Sequence, residues 1–110
     1  MANNAGHEND IAKRIAERNP LTYAGQEDPR ILEDWIRAFD KLLGTEKCPE
    51  EEMVEVSTFY LQQEADLWWV TNGPVLREQP NFGWTIFKEA MRDRFYSHAV
   101  KMEKYTSFSI

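Results

Sequence analysis

The sequence predicts an all-α domain, a small bundle of four to five helices with an extended N-terminal arm. Three observations carry that expectation. Apolar residues recur at spacings of three and four in several stretches, and none alternates with period two for long enough to be a convincing strand. Helix-start signals precede those stretches: Asp28-Pro29, Pro49 with three glutamates, and Gly83 before Trp84. Four Trp, six Phe and four Tyr make up 13% of 110 residues, enough large rings to fill one modest core.

Residues 1–19 read as a flexible leader. Ile11, Ala12, Ile15 and Ala16 lie at helical spacing, but the stretch is short and Asn19-Pro20 ends it, so at most a frayed helix is expected. Leu21 to Gly25 is short and β-tolerant, an extended arm turned by its glycine. The first strong helix starts at Asp28-Pro29, an N-cap followed by proline. Ile31, Leu32, Trp35, Ile36, Phe39, Leu42 and Leu43 form its stripe, and Gly44 is the expected left-handed stop.

A second helix opens at Pro49, with Glu50, Glu51 and Glu52 against its positive dipole end. Met53, Val56, Phe59 and Tyr60 form the stripe, extended by Leu61; Ala65, Trp68 and Trp69 continue one face. Periodicity leaves open whether residues 49–71 are one helix or two meeting near Gln62. Asn72-Gly73-Pro74 is read as a firm stop, and residues 74–83 as a loop. The last helix follows Gly83, with Trp84, Phe87, Met91 and Phe95 facing inward beside Ala90. Residues 97–104 read as a further short helix, and Tyr105 to Ile110 as a continuation. The expected core unites Trp35, Phe39, Phe59, Trp68, Trp84, Phe87 and Phe95.

Composition narrows the function. Thirteen Lys+Arg against nineteen Asp+Glu give a net charge of −6, a poor basis for gripping phosphate backbones. The lone Cys48 can close no disulfide within the chain and make no zinc site by itself. No apolar run is long enough to span a membrane, and the polar N-terminus has no signal-peptide core. A soluble, reduced, intracellular domain is expected. Residues 27–66 carry twelve acids and four bases while residues 84–110 carry five bases and three acids, an asymmetry suited to contact between neighbouring copies.

Catalytic constellations do not emerge. His7 lies in the leader and His98 has no second His at i+4. Cys48 stands at a helix start, where the dipole can depress a thiol, yet no base is visibly paired with it. Glu50 to Glu52 spread around one turn rather than facing each other as an acid–base pair. The five glycines are isolated, so no loop is built to cradle phosphate. No enzyme activity, cofactor or metal is expected. Lys88, Arg92 and Arg94 interleave with Trp84, Phe87 and Phe95, but on a helix those rings form one inward stripe, so no direct nucleic-acid binding is expected either.

The order of motifs points further. Tyr23-Ala-Gly25 and Asp28-Pro29 lead into Trp35-Ile36; then come Leu61-x-x-x-Ala65-x-x-Trp68-Trp69 and, after a loop, Trp84-x-x-Phe87-Lys88 with Phe95. This arrangement resembles the Gag capsid domain of Ty3/gypsy-type LTR retrotransposons and the N-terminal lobe of its domesticated neuronal relative. The likeness covers about residues 20–105, leaving residues 106–110 as a continuation toward a second lobe. The family usually has glycine where Gln63 stands, often Thr or Ser where Gly83 stands, and often Phe where Met91 stands.

The resemblance implies a structural role, with copies packing into a shell through protein–protein contacts. It assigns ring contacts to this lobe and ring-joining contacts to a lobe beyond Ile110. The neuronal relative holds extended peptides in an apolar groove, which implies a second role as a host-adopted docking scaffold. On that likeness Leu21 and Tyr23 of the arm occupy or border such a groove. Trp69 joins it on helix geometry, because adjacent Trp68 and Trp69 point about 100° apart on a helix and are unlike in depth.

Overall fold

The computed structural model describes residues 3–96, with side chains from Asp10 onward. Five helices follow one another: α1 (Asn3–Ala16), α2 (Pro29–Thr45), α3 (Glu50–Thr58), α4 (Gln63–Leu76) and α5 (Trp84–Phe95). The fold is a small all-α bundle. An extended arm between α1 and α2 makes one isolated parallel bridge, Tyr23 to Leu61, and among the described residues there is no strand. The expectations for residues 97–110 lie outside the described residues.

The leader is the first correction. Residues 3–16 form α1, and Ile11 and Ile15, four residues apart, are buried in the core. A short amphipathic helix is marginal in water alone but is held once its apolar edge is packed. Arg14 and Arg18 add ties to the Glu46 carboxylate at the end of α2, at 2.9 and 2.6 Å.

α2 begins as the sequence reads. Asp28 is its N-cap, accepting from the Arg30 backbone N–H at 2.9 Å, and Pro29 follows. Leu32, Trp35, Ile36, Phe39 and Leu43 are buried, while Ile31 lies at the solvent edge of the stripe. Gly44 does not stop the helix. The chain runs on to Thr45, and Lys47 takes the left-handed conformation (φ 56°) as its N–H closes on the Gly44 carbonyl.

The stretch 49–71 is two helices. α3 ends at Thr58, and the Tyr60 and Leu61 N–H groups close a turn on the Ser57 and Thr58 carbonyls. That early stop rephases the buried side. Val54, Val56 and Ser57 point inward, Met53 and Tyr60 are partly buried, and Phe59, placed in the core from its spacing, is 80% exposed. Leu61 goes inside in its place. Gln63 then opens α4 with φ 49°, in the left-handed region that glycine enters without a steric cost.

α4 also overrides its stop signal. Asn72-Gly73-Pro74 lies inside the helix, which ends only at Leu76. The proline's missing N–H removes one helical bond near the end, and the Arg77 N–H still closes on the Gly73 carbonyl at 2.9 Å. Gly73 is buried for a packing reason. A Cβ there would sit 3.2 Å from three atoms of the Trp69 ring, so the ring lies directly on the backbone of its own helix. α5 starts after its N-cap Gly83, buries Trp84, Phe87, Met91 and Phe95, and packs on α2 and α3.

Two predictions follow from this packing. Phe87→Ala should cost about 3–5 kcal/mol because its ring is fully buried. Phe59→Ala should stay within about 0.5 kcal/mol of the parent in the same urea titration, and the reverse ranking would refute this core. Separately, Gln63→Gly should stabilise by about 0.5–1 kcal/mol by relieving the left-handed backbone, while Gln63→Val should destabilise by at least about 1 kcal/mol. A destabilised glycine variant would contradict the bend drawn here.

Candidate functional site

The residues singled out from the sequence fall into a closed aromatic core, a filled slot and a tryptophan platform. Trp35 is fully buried and donates from Nε1 to the Leu21 carbonyl at 3.0 Å. Leu61, Ala65, Trp68, Trp84, Phe87 and Phe95 are all buried with it. Trp84 stacks on Phe87 with centroids 5.5 Å apart, and Trp68 meets Phe95 edge-on at 5.7 Å. Both separations suit quadrupole-guided aromatic packing.

The arm fills its slot. The Tyr23 ring is wholly buried and meets Phe95 edge-on at 5.5 Å, with Trp35 at 6.3 Å. Its N–H donates to the Tyr60 carbonyl at 3.0 Å, and its carbonyl accepts from the Gln62 N–H at 2.8 Å. The hydroxyl donates to the Gln26 carbonyl at 2.5 Å, and burial pushes the phenol well above its ordinary range. Gly25, with φ 98°, turns the arm against α4. A Cβ at that position would come within 2.8 Å of the Glu64 Cβ and 3.0 Å of the Ala65 nitrogen.

Leu21, Tyr23 and Trp69 therefore do not line one groove. Leu21 is half exposed and borders a cavity of about 350 Å³, together with Arg18, Phe39, Lys41 and Leu42. Trp69 is half-buried elsewhere: stacked with Phe82 at 6.3 Å, edge-on to Phe87 at 5.2 Å, and with the Arg77 guanidinium 5.1 Å from its ring centre. Those contacts occupy its faces. Trp68 and Trp69 do differ in depth, as their 100° separation implies, and Trp69 is the shallower.

The charge asymmetry is largely spent inside the molecule. Lys88 on α5 pairs with Asp40 on α2 at 3.0 Å, and Asp40 also accepts from the Trp84 indole N–H at 2.6 Å. Arg92 engages both Glu33 oxygens, at 2.7 and 3.1 Å, and the Tyr96 hydroxyl donates to the same carboxylate at 2.5 Å. Arg94 reaches Glu27 at 3.6 Å. The first-turn acids Glu50 and Glu51 instead line a second cavity of about 460 Å³, with Val54, Phe82 and Arg77.

Cys48 is buried, and desolvation with the nearby Glu52 and Glu51 charges pushes its thiol up to about 11, against the direction the helix dipole favours. Among the described residues no group of three or more His, Cys, Asp and Glu converges, and no helix is long and apolar enough to cross a membrane. The His7 and His98 side chains lie outside the described residues.

Spacing put the exposed Phe59 in the core and did not single out the exposed Leu67, Val70 and Val75. A signal was present, because apolar residues run all round α4 rather than along one stripe. No family model matches the chain, and no curated protein or solved structure matches it.

Glu33 provides the pH test. The Arg92 guanidinium, aided by the Tyr96 hydroxyl, holds its carboxyl below the usual carboxylate range against the opposing effect of burial. A depressed folded-state pKa stabilises above the unfolded value, and that stability is lost as pH falls through the folded one. Glu33→Gln should therefore cost about 1 kcal/mol near pH 7, discounted for partial exposure, and almost nothing near pH 2–3. An equal cost at both pH values in chemical denaturation would contradict this pairing.

Proposed function

We propose that the chain is an assembly domain of the retrotransposon Gag capsid kind, an intracellular lobe whose business is contact with other protein surfaces. One observation carries the reading. The motifs on which the resemblance rests are far apart in sequence, yet Leu61, Ala65, Trp68, Trp84, Phe87 and Phe95 pack into one core that Tyr23 closes. The left-handed Gln63 adds support, since a glycine, usual at that place in the family, would meet the same backbone demand.

In this reading the lobe supplies one kind of lateral contact, and a shell needs at least a second kind, from a following lobe, to join rings. The host-adopted docking scaffold is the second reading, favoured by the Leu21, Phe39 and Leu42 cavity beside the arm. It takes an extended peptide that places one apolar side chain there. The slot under the arm already holds Tyr23, so a peptide entering it has to displace the chain's own residue.

The chain by itself should behave as a monomer or weak oligomer in light scattering at micromolar concentration, with no closed particles in electron microscopy. The native gene product, purified from its source cells, should form regular particles. Uniform monomers there would overturn the assembly reading. Fluorescence anisotropy showing micromolar affinity for an apolar extended peptide, lost in Leu42→Glu, would then favour the docking scaffold. Regular shells from this chain alone would overturn the division of labour between two lobes.

A further inference from the structure

The cavity of about 350 Å³ beside the arm carries charge of one sign. Phe39 is fully buried at its floor, Leu42 is partly buried and Leu21 is half exposed at the rim. The charged residues that line it are both cations, Arg18 just past the end of α1 and Lys41 on α2. Two other cavities of like size differ. Glu50, Glu51 and Glu55 face Arg77 in one, and Asp93 accompanies Arg94 in the other. The walls are fixed in advance. The Leu21 carbonyl accepts from Trp35 Nε1 at 3.0 Å, and Arg14 and Arg18 tie the first helix to Glu46 at 2.9 and 2.6 Å.

The acids nearby do not cancel that sign. Residues 13–21 and 34–47 together carry six bases and four acids, in a chain of net charge −6. Glu46 is shared by two guanidiniums, which leaves one positive charge over. Asp34 is paired with Arg37, and Asp40 with Lys88. Glu17 precedes Arg18 but does not line the cavity, and Lys13 stands one helical turn before it. Lys41 is exposed and has no ion-pair partner among the described residues.

We infer that this cavity docks an acidic segment of a partner protein, one that seats an apolar side chain on Phe39 and Leu42 while its flanking carboxylates reach Lys41 and Arg18. The inference rests on the docking-scaffold reading and gives that reading its ligand. The site lies apart from the slot under the arm, so Tyr23 stays in place as the segment binds. Peptide carboxylates fit this site better than phosphates. Its apolar floor rewards a buried side chain, and two cations on so acidic a chain make a weak grip on a nucleic-acid backbone. A membrane surface would need a broader apolar patch than Leu21 offers at the rim. Lys41 and Arg18 therefore set selectivity, rejecting basic segments as well as attracting acidic ones.

Fluorescence anisotropy on the whole chain tests this with three short labelled peptides in a glycine–serine background. The first has one phenylalanine between pairs of glutamates. The second has lysines in place of the glutamates, and the third has alanine in place of the phenylalanine. The first should bind with a dissociation constant on the order of 10–100 µM, and the other two at least about tenfold more weakly. Lys41→Glu, at an exposed position, should leave the melting transition in place. It should weaken the first peptide about fivefold and strengthen the second, a reversal that lost packing alone would not give. Equal binding of the glutamate and lysine peptides, both needing the phenylalanine, would overturn the charge selection and leave the docking scaffold standing. No binding of any of the three would overturn both. A third peptide as tight as the first would show that the cavity is not engaged, and a single-stranded oligonucleotide that displaced the first peptide would give the rim to phosphate. Either result overturns the proposal.

Discussion

The insertion of Tyr23 is the contact on which the bundle depends. Its ring fills the space between Trp35 and Phe95, while its backbone pairs with the turn from Tyr60 to Gln62. The two requirements reinforce each other. The pairing holds the chain extended at Leu61, which ends α3 early and forces α4 to restart through the left-handed Gln63. The restart puts Ala65 and Trp68 on the side facing α5, and Gly25 allows the arm to pass close to the α4 backbone. Without the arm, the α3–α4 bend would lose its hydrogen-bond partners and the core would lose a whole ring.

Much of the bundle was legible before any coordinates, and the exceptions share a cause. α2 and α5 carry a clean stripe, a start signal and an inward face, and local pattern places both, except that α2 runs past Gly44. The errors came where a distant contact overrode a local rule. Ile11 and Ile15 look too sparse to make a helix until something packs on them. Phe59 has helical spacing from Val56, but the pairing at Leu61 ends the helix before that phase can be used. Gly73 and Pro74 read as punctuation, whereas Trp69 needs the bare backbone of Gly73 beneath its ring. Of the groove residues, Tyr23 was correctly placed on an extended arm, but only the fold separates Leu21 from Trp69.

The electrostatics follow the same division between inside and outside. The bases of α5 look like a free patch when counted along the chain, yet Lys88 and Arg92 tie α5 to α2, and Arg94 ties it to the segment before α2. Partly shielded pairs of this kind add orientation more than raw stability. Three of the acids left over, Glu50, Glu51 and Glu52, stand on the first turn of α3, where the helix dipole favours them. The outer surface is consequently more acidic in character than the distribution of lysines and arginines implies.

The arm also sets an order of assembly in time. The arm is tied to the bundle by the Tyr23 bridge, its inserted ring and the Leu21 carbonyl, whereas α2 and α5 meet along Trp35 and Trp84, Asp40 and Lys88, and Glu33 and Arg92. A segment held by few contacts opens at lower free energy than the core it covers. The four later helices can therefore stay packed around Trp35, Trp68 and Phe87 with a vacancy of tyrosine shape. Docking of the arm is the last step in and, by reversal, the first step out. Hydrogen exchange at the Tyr23 and Gln62 amides then reports a partial opening distinct from global unfolding. The segment that completes the interior is also the segment through which the interior first meets water.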